Sequence, residues 1–145
     1  MKLIGEFTTP TPSTALTALG DNKPALQAVP AFRSLSVSED GTIVTVFTPV
    51  TPFGRMTLNT LIRTEEISAH GAVLRVTAHR AQHAVDARIE LRFAAEGSGS
   101  HVTWVADLAV LGPAASVGQR VAREVATRTI GETLQSAAAL AAQTS

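Results

Sequence analysis

A chain of 145 residues, 45% of them hydrophobic, can bury roughly 70% of its unfolded surface around one core and is too apolar for intrinsic disorder. Its 12 basic and 12 acidic side chains cancel, so there is no cationic excess for gripping phosphates and no nucleic-acid partner is expected. Cysteine is absent, which excludes disulfide scaffolds, thiol nucleophiles, iron–sulfur clusters and thiolate zinc sites.

The opening residues lack the apolar core of a signal peptide, and no window approaches the ~20 apolar residues of a membrane span. The expectation is a cytoplasmic protein of one domain, residues 1–145. Leu3, Gly5 and Phe7 alternate with Ile4, Glu6 and Thr8, the mark of a short strand. Thr9-Pro10-Thr11-Pro12 ends it, since neither proline can donate to a ladder. Thr11 or Ser13 can cap a short helix through Ala15, Leu16 and Leu19 that stops at Gly20. Asp21 or Asn22 can cap a second, with Pro24 in its first turn, ending before Pro30.

From Phe32 to Val110 the pattern has period two. Strands are predicted at 32–38, 42–48, 54–66, 71–80, 84–95 and 100–111, separated by turn residues such as Glu39-Asp40-Gly41 and Glu96-Gly97-Ser98-Gly99. Asp86, Arg88, Glu90 and Arg92 alternate with Val85, Ala87, Ile89, Leu91 and Phe93, so one sheet face is wet and the other dry. Arg55, Arg63, Arg75 and His79 can share the wet face, and Met56, Leu58, Ile62, Leu74, Val76, Trp104 and Leu108 the dry one. After Gly112-Pro113, residues 114–142 read as a long helix, with Val117, Val121 and Val125 four apart, then Ile130, Leu134 and Ala138. The dry face needs a cover, and this helix is the element long enough to provide it. The fold class is therefore α+β, a bent antiparallel sheet of seven strands around one long C-terminal helix, with two short helices after the first strand.

Met1-Lys2-Leu3-Ile4-Gly5-Glu6-Phe7, Ala18-Leu19-Gly20-Asp21, Val29-Pro30 followed by Ser34-Leu35, Gly54-Arg55, and Ala115-Ser116-Val117-Gly118-Gln119-Arg120-Val121 stand in an order that resembles the CoxG family, the carbon-monoxide dehydrogenase accessory proteins of the START-like, helix-grip superfamily. The chain departs from that family's usual pattern at Leu16, at Pro30-Ala31 and at Met56-Thr57-Leu58-Asn59. The resemblance implies a hydrophobic cavity between sheet and helix. It also implies an accessory role beside a molybdenum hydroxylase of the CO dehydrogenase type, with peripheral contact at the inner face of the membrane. The ligand implied is a hydrophobic small molecule, menaquinone or another quinone or lipid, with no covalently bound cofactor.

A cavity requires missing volume. Ala72, Ala78, Ala87, Ala106, Ala114, Ala122 and Ala126 leave room for a ligand, or the sheet simply closes onto the helix; the pattern leaves both open. Candidate ligand-binding residues are Phe47, Phe53, Met56 and Leu58 around the 49–54 loop, and Leu74, Val76, Ile89 and Leu91 on the central strands. Trp104 and Leu108 on the last strand and Val117, Val121 and Val125 on the helix complete the set. Trp104 can stack on a quinone ring or anchor the core. Thr60 and Thr45 can bond a quinone carbonyl or serve as ordinary strand threonines. His79 and His83, four apart, straddle a turn with no third ligand nearby, so surface roles are expected and no metal site. No catalytic residue is expected, because Asp86, Glu90 and Asp107 alternate out of the dry face. A cyclase- or dehydratase-like enzyme would need a buried titratable group, and a docking adapter would have a collapsed core.

Overall fold

A computed structural model describes residues 1–52, 54–112 and 119–144. Strand β1 (Lys2–Thr9) leads into α1 (Ser13–Thr17), a single 3-10 turn (Leu19–Asp21) and α2 (Lys23–Ala28). Strands β2 (Phe32–Val37), β3 (Ile43–Phe47), β4 (Val50–Thr51), β5 (Gly54–Arg55), β6 (Leu58–Ser68), β7 (Gly71–Arg80), β8 (His83–Glu96) and β9 (Gly99–Leu111) follow, and α3 (Gln119–Thr144) closes the chain. Seven strands form one antiparallel sheet in the order β1-β9-β8-β7-β6-β3-β2. This is the α+β arrangement expected from the sequence.

The differences are local. The strand expected at 54–66 breaks at Met56-Thr57, and its first two residues pair with Val50 and Thr51 in a separate ribbon. The first helix is shorter than expected: Pro12 occupies its N-cap without a side-chain bond, and Gly20 falls in the 3-10 turn. Asn22 caps α2 by accepting from the Ala25 N–H, with Pro24 in the first turn where no donor is needed. The β8–β9 hairpin turns through Gly97-Ser98, with Gly97 at φ 60°, where a side chain would be strained.

The two sheet faces divide as the alternation requires. Arg63, Arg75 and Arg88 stand in one cross-strand row on the convex face, where Glu65, Asp86 and Glu90 pair with the latter two. On the concave face Leu3, Ala87, Ile89, Trp104, Ala106 and Leu108 form a buried cluster, with Ala126, Ile130 and Leu134 of α3 packed on it. Among the described residues no helix is long and apolar enough to cross a membrane.

Helix α3 corrects one reading of the sequence. Val121 is 42% exposed and Val125 only half-buried, while Ala137, Ala138 and Ala141 are buried. The expected stripe joined two different faces. Four-residue steps drift by about 40° each, but the five-residue step from Val125 to Ile130 turns the helix by about 140°. Val121 therefore lies about 180° around the helix from Ile130. The face that meets the sheet is carried by residues 126, 130, 134 and 138. Val117 lies outside the described residues.

The end of α3 is tied down by a buried hydroxyl cluster. Thr11 Oγ1 donates to the Ala138 carbonyl, and Thr9 Oγ1 donates to Thr11 Oγ1 at 3.2 Å. Ser100 Oγ donates to the Thr11 carbonyl at 2.8 Å. The Thr9–Pro12 segment, read from the sequence as a strand breaker with Thr11 as a candidate helix cap, instead fastens β1, β9 and α3 together.

Candidate functional site

Helix α3 covers the β1, β9 and β8 side of the concave face and leaves the rest partly bare. Ile89, Trp104 and Ala106 are buried, yet Ile62, Leu74, Val76 and Phe47, whose side chains point to the same face, are only half-buried. The space above them is a cavity of about 460 Å³. That volume falls within the roughly 300–1,000 Å³ usual for small-molecule sites.

Three layers wall the cavity. The sheet contributes Phe47 of β3, Ile62 of β6, Leu74 and Val76 of β7, and Ile89 and Leu91 of β8. Helix α3 contributes Ile130, Thr133, Leu134, Ala137 and Ala138. The short helices close the third side with Leu16 and Leu26, and Phe32 stands at the start of β2. The lining residues that are exposed gather in one place: Gly20 and Asp21 of the 3-10 turn, Asp40 and Gly41 of the β2–β3 turn, and Arg63, Thr64 and Ile67 of β6. This is the mouth. There the 3-10 turn reaches toward β6, and a Cβ at Gly20 would stand 3.9 Å from Thr64 Oγ1.

The wall is apolar and its polar atoms are already engaged. Thr60 Oγ1 donates to the Leu58 carbonyl at 3.0 Å, Thr133 Oγ1 to Thr129 at 2.8 Å, and Thr17 Oγ1 to Thr14 at 2.8 Å. The titratable lining side chains are Asp21, Asp40 and Arg63, all exposed at the rim. Asp40 is lowered from the ordinary 3.8 to about 2, first by the Ser38 hydroxyl and then by the Thr42 backbone N–H. It is a structural carboxylate that organises the turn at the mouth.

Five of the residues expected at the site, Phe47, Leu74, Val76, Ile89 and Leu91, line this cavity. Six others do not. Trp104 and Leu108 are buried in the packed cluster under α3, because the helix lies directly over their half of the sheet. Leu58 is buried at the start of β6, away from the wall, and Met56 is 39% exposed beyond the strand break. Val121 and Val125 stand away from the wall for the rotational reason given above. Phe53 and Val117 lie outside the described residues. Thr45, considered as a partner for a carbonyl, is buried away from the cavity and donates to the Arg33 carbonyl at 2.8 Å.

Sequence reasoning missed Phe7, Leu16, Leu26 and Phe32, which reach the cavity from β1, the two short helices and β2. The alternation of Leu3, Gly5 and Phe7 held the signal for the first of these. Leu16 and Leu26 depend on how α1 and α2 pack, which no periodicity reports, and Phe32 on where β2 begins at the sheet edge. His79 and His83 flank the β7–β8 turn, and among the described residues no group of three or more His, Cys, Asp or Glu could hold a metal ion.

The fold has solved counterparts of low sequence similarity. A conserved protein from Geobacillus kaustophilus superposes with TM-score 0.81 at 16% identity, over 99% of this chain and 96% of that one. Ara h 8.0201 superposes with TM-score 0.62 at 16% identity, over 94% of each chain. The di-domain ARO/CYC BexL from the BE-7585A biosynthetic pathway gives TM-score 0.63 at 18% identity, over 99% of this chain and 49% of its own, so this chain spans about half its length. These likenesses establish the helix-grip fold. No match was found among curated proteins. The family model for CoxG, a carbon monoxide dehydrogenase subunit, matches residues 5–141, from the first strand to the far end of α3. A sheet that grips one long helix, with apolar space left between them, is thus the form that the CoxG family takes in this sequence, and the chain belongs to that family.

Proposed function

We propose that this protein is a carrier: it holds a hydrophobic small molecule, a quinone or a lipid-like compound, in the cavity between sheet and α3. In this reading it serves a molybdenum hydroxylase of the CO dehydrogenase type and links it to the membrane or the quinone pool. The observation that supports the reading best is the set of inward-facing apolar side chains that α3 leaves half-covered around a space of about 460 Å³. Packed interiors leave few voids larger than a water molecule, so uncovered apolar walls on this scale favour an apolar occupant. Membership of the CoxG family supports the association with a CO dehydrogenase system.

The other two readings find less support. Catalysis on an aromatic substrate calls for an acid or base within reach of the bound molecule and tuned by its surroundings. The titratable groups on the described wall stand at the solvent-exposed rim. A ligand-free adapter would have a closed core, and this core is open.

Solvent extraction of the purified protein followed by mass spectrometry tests the proposal, together with titration of short-chain menaquinone analogues. A co-purifying apolar compound, or saturable one-to-one uptake of an analogue, is expected. An empty protein that takes up no analogue would overturn the carrier reading.

A further inference from the structure

Behind the mouth, the hydroxyls on the cavity wall already use their protons. Thr60 and Thr133 donate to backbone carbonyls at 3.0 and 2.8 Å, while Thr17, whose hydroxyl donates to Thr14 at 2.8 Å, stands at the exposed rim. A carbonyl oxygen can only accept, so the hydroxyl in each pair must be the donor, and what it can still offer is a lone pair. The backbone groups of the surrounding strands pair in the sheet ladder, except at the register shift between Thr64 and Glu66 beside the mouth. Side-chain donors among the described lining residues, Arg63 and Thr64, stand at the exposed mouth. Two carboxylates, Asp21 and Asp40, share that mouth, and Asp40 is ionised throughout the physiological range.

Resting on the reading of this cavity as a ligand site, we infer that it selects a neutral molecule whose buried polar end is a hydrogen-bond donor. A phenol, an alcohol or the quinol form of a quinone meets that description. An acceptor-only molecule of the same shape gains a bond from the wall only by drawing a hydroxyl proton away from a backbone carbonyl. It then exchanges one hydrogen bond for another, with no net gain. A donor needs no such exchange, because each threonine oxygen keeps a free lone pair. An anionic end is disfavoured by the acceptor-lined wall and by a mouth whose two carboxylates outnumber its one cation, Arg63.

The test is competition against N-phenylnaphthylamine, a neutral apolar fluorophore, using three molecules of one shape: para-octylphenol, para-octylanisole and para-octylbenzoate. The phenol is expected to displace the fluorophore at about three- to tenfold lower concentration than the anisole, the worth of one net hydrogen bond, with the benzoate weakest. In Thr60→Val/Thr133→Val the phenol and anisole should converge while both still compete. Equal competition by phenol and anisole in the wild type would overturn the inference and leave the carrier reading standing. A phenol preference that persists in the double variant would overturn the role given to these hydroxyls. Failure of every compound, the fluorophore included, to bind would bring down the carrier reading and the inference with it.

Discussion

Gly5 of β1 and Trp104 of β9 are cross-strand partners, and the indole of Trp104 occupies the space a side chain at Gly5 would need: a Cβ there would come within 2.6 Å of Nε1. From the other side Gly131 of α3 faces the same ring, its would-be Cβ 3.6 Å from Cζ2. The largest side chain of the core is thus bracketed by two glycines, one on the sheet and one on the helix.

The two positions should respond oppositely to alanine. Gly5→Ala forces carbon into the indole and should cost about 1–3 kcal/mol, as overpacking does. Gly131→Ala meets only ordinary van der Waals contact and removes a helix-weakening residue, so it should be neutral or stabilising by up to about 1 kcal/mol. Urea unfolding of the two variants checks the contrast. A Gly131→Ala loss as large as that of Gly5→Ala would contradict this account of the core.

Thr11 makes the second prediction. Its hydroxyl is fully buried, donates to the Ala138 carbonyl and accepts from Thr9. Thr11→Val should destabilise the fold by about 1–3 kcal/mol, because it strands buried polar partners. Hydrogen exchange in the last turns of α3 should accelerate. Unchanged exchange there would mean that Thr11 does not fasten the helix.

How far the sequence carried the fold depends on which residues reported local and which reported long-range order. Alternation across β8 and β9 was enough to assign both faces, because period two is a property of the strand itself. The break at Met56-Thr57 was invisible, since it follows from pairing of Gly54 and Arg55 with Val50 and Thr51 rather than with the main sheet. The cavity was legible where wall residues belong to strands, as with Leu74, Val76, Ile89 and Leu91. It was misread where helix rotation decides, as with Val121. For Trp104 the pattern left ring stacking and core anchoring open, and helix placement decides: the indole is a core anchor because α3 crosses above it. Gly131 faces that ring, but at 3.6 Å a Cβ there would make only ordinary contact, so packing does not require glycine at this position.

Asp40 gives the pH dependence. The Ser38 hydroxyl and Thr42 N–H lower it from 3.8 to about 2, so the folded state holds its charged form more tightly than the unfolded chain does. The resulting stabilisation is complete above the unfolded value and is lost as pH falls through the folded one. Ser38→Ala should raise the carboxyl midpoint toward 3.8 in an NMR titration. The stability gap between Ser38→Ala and wild type should hold at neutral pH and shrink between about pH 4 and 2. A midpoint unmoved by Ser38→Ala would show that the hydroxyl does not hold the turn.

The space beneath α3 is tested most directly by filling it. Leu74 stands on the cavity wall, and Leu74→Trp should occupy much of the open volume while circular dichroism stays native. Titration with N-phenylnaphthylamine should give one saturable site in the wild type and in Trp104→Phe, which lies outside the wall, with affinity reduced by more than about tenfold in Leu74→Trp. A wild-type protein that binds none of the fluorophore, or a Leu74→Trp variant that binds it as tightly as the wild type, would contradict the account.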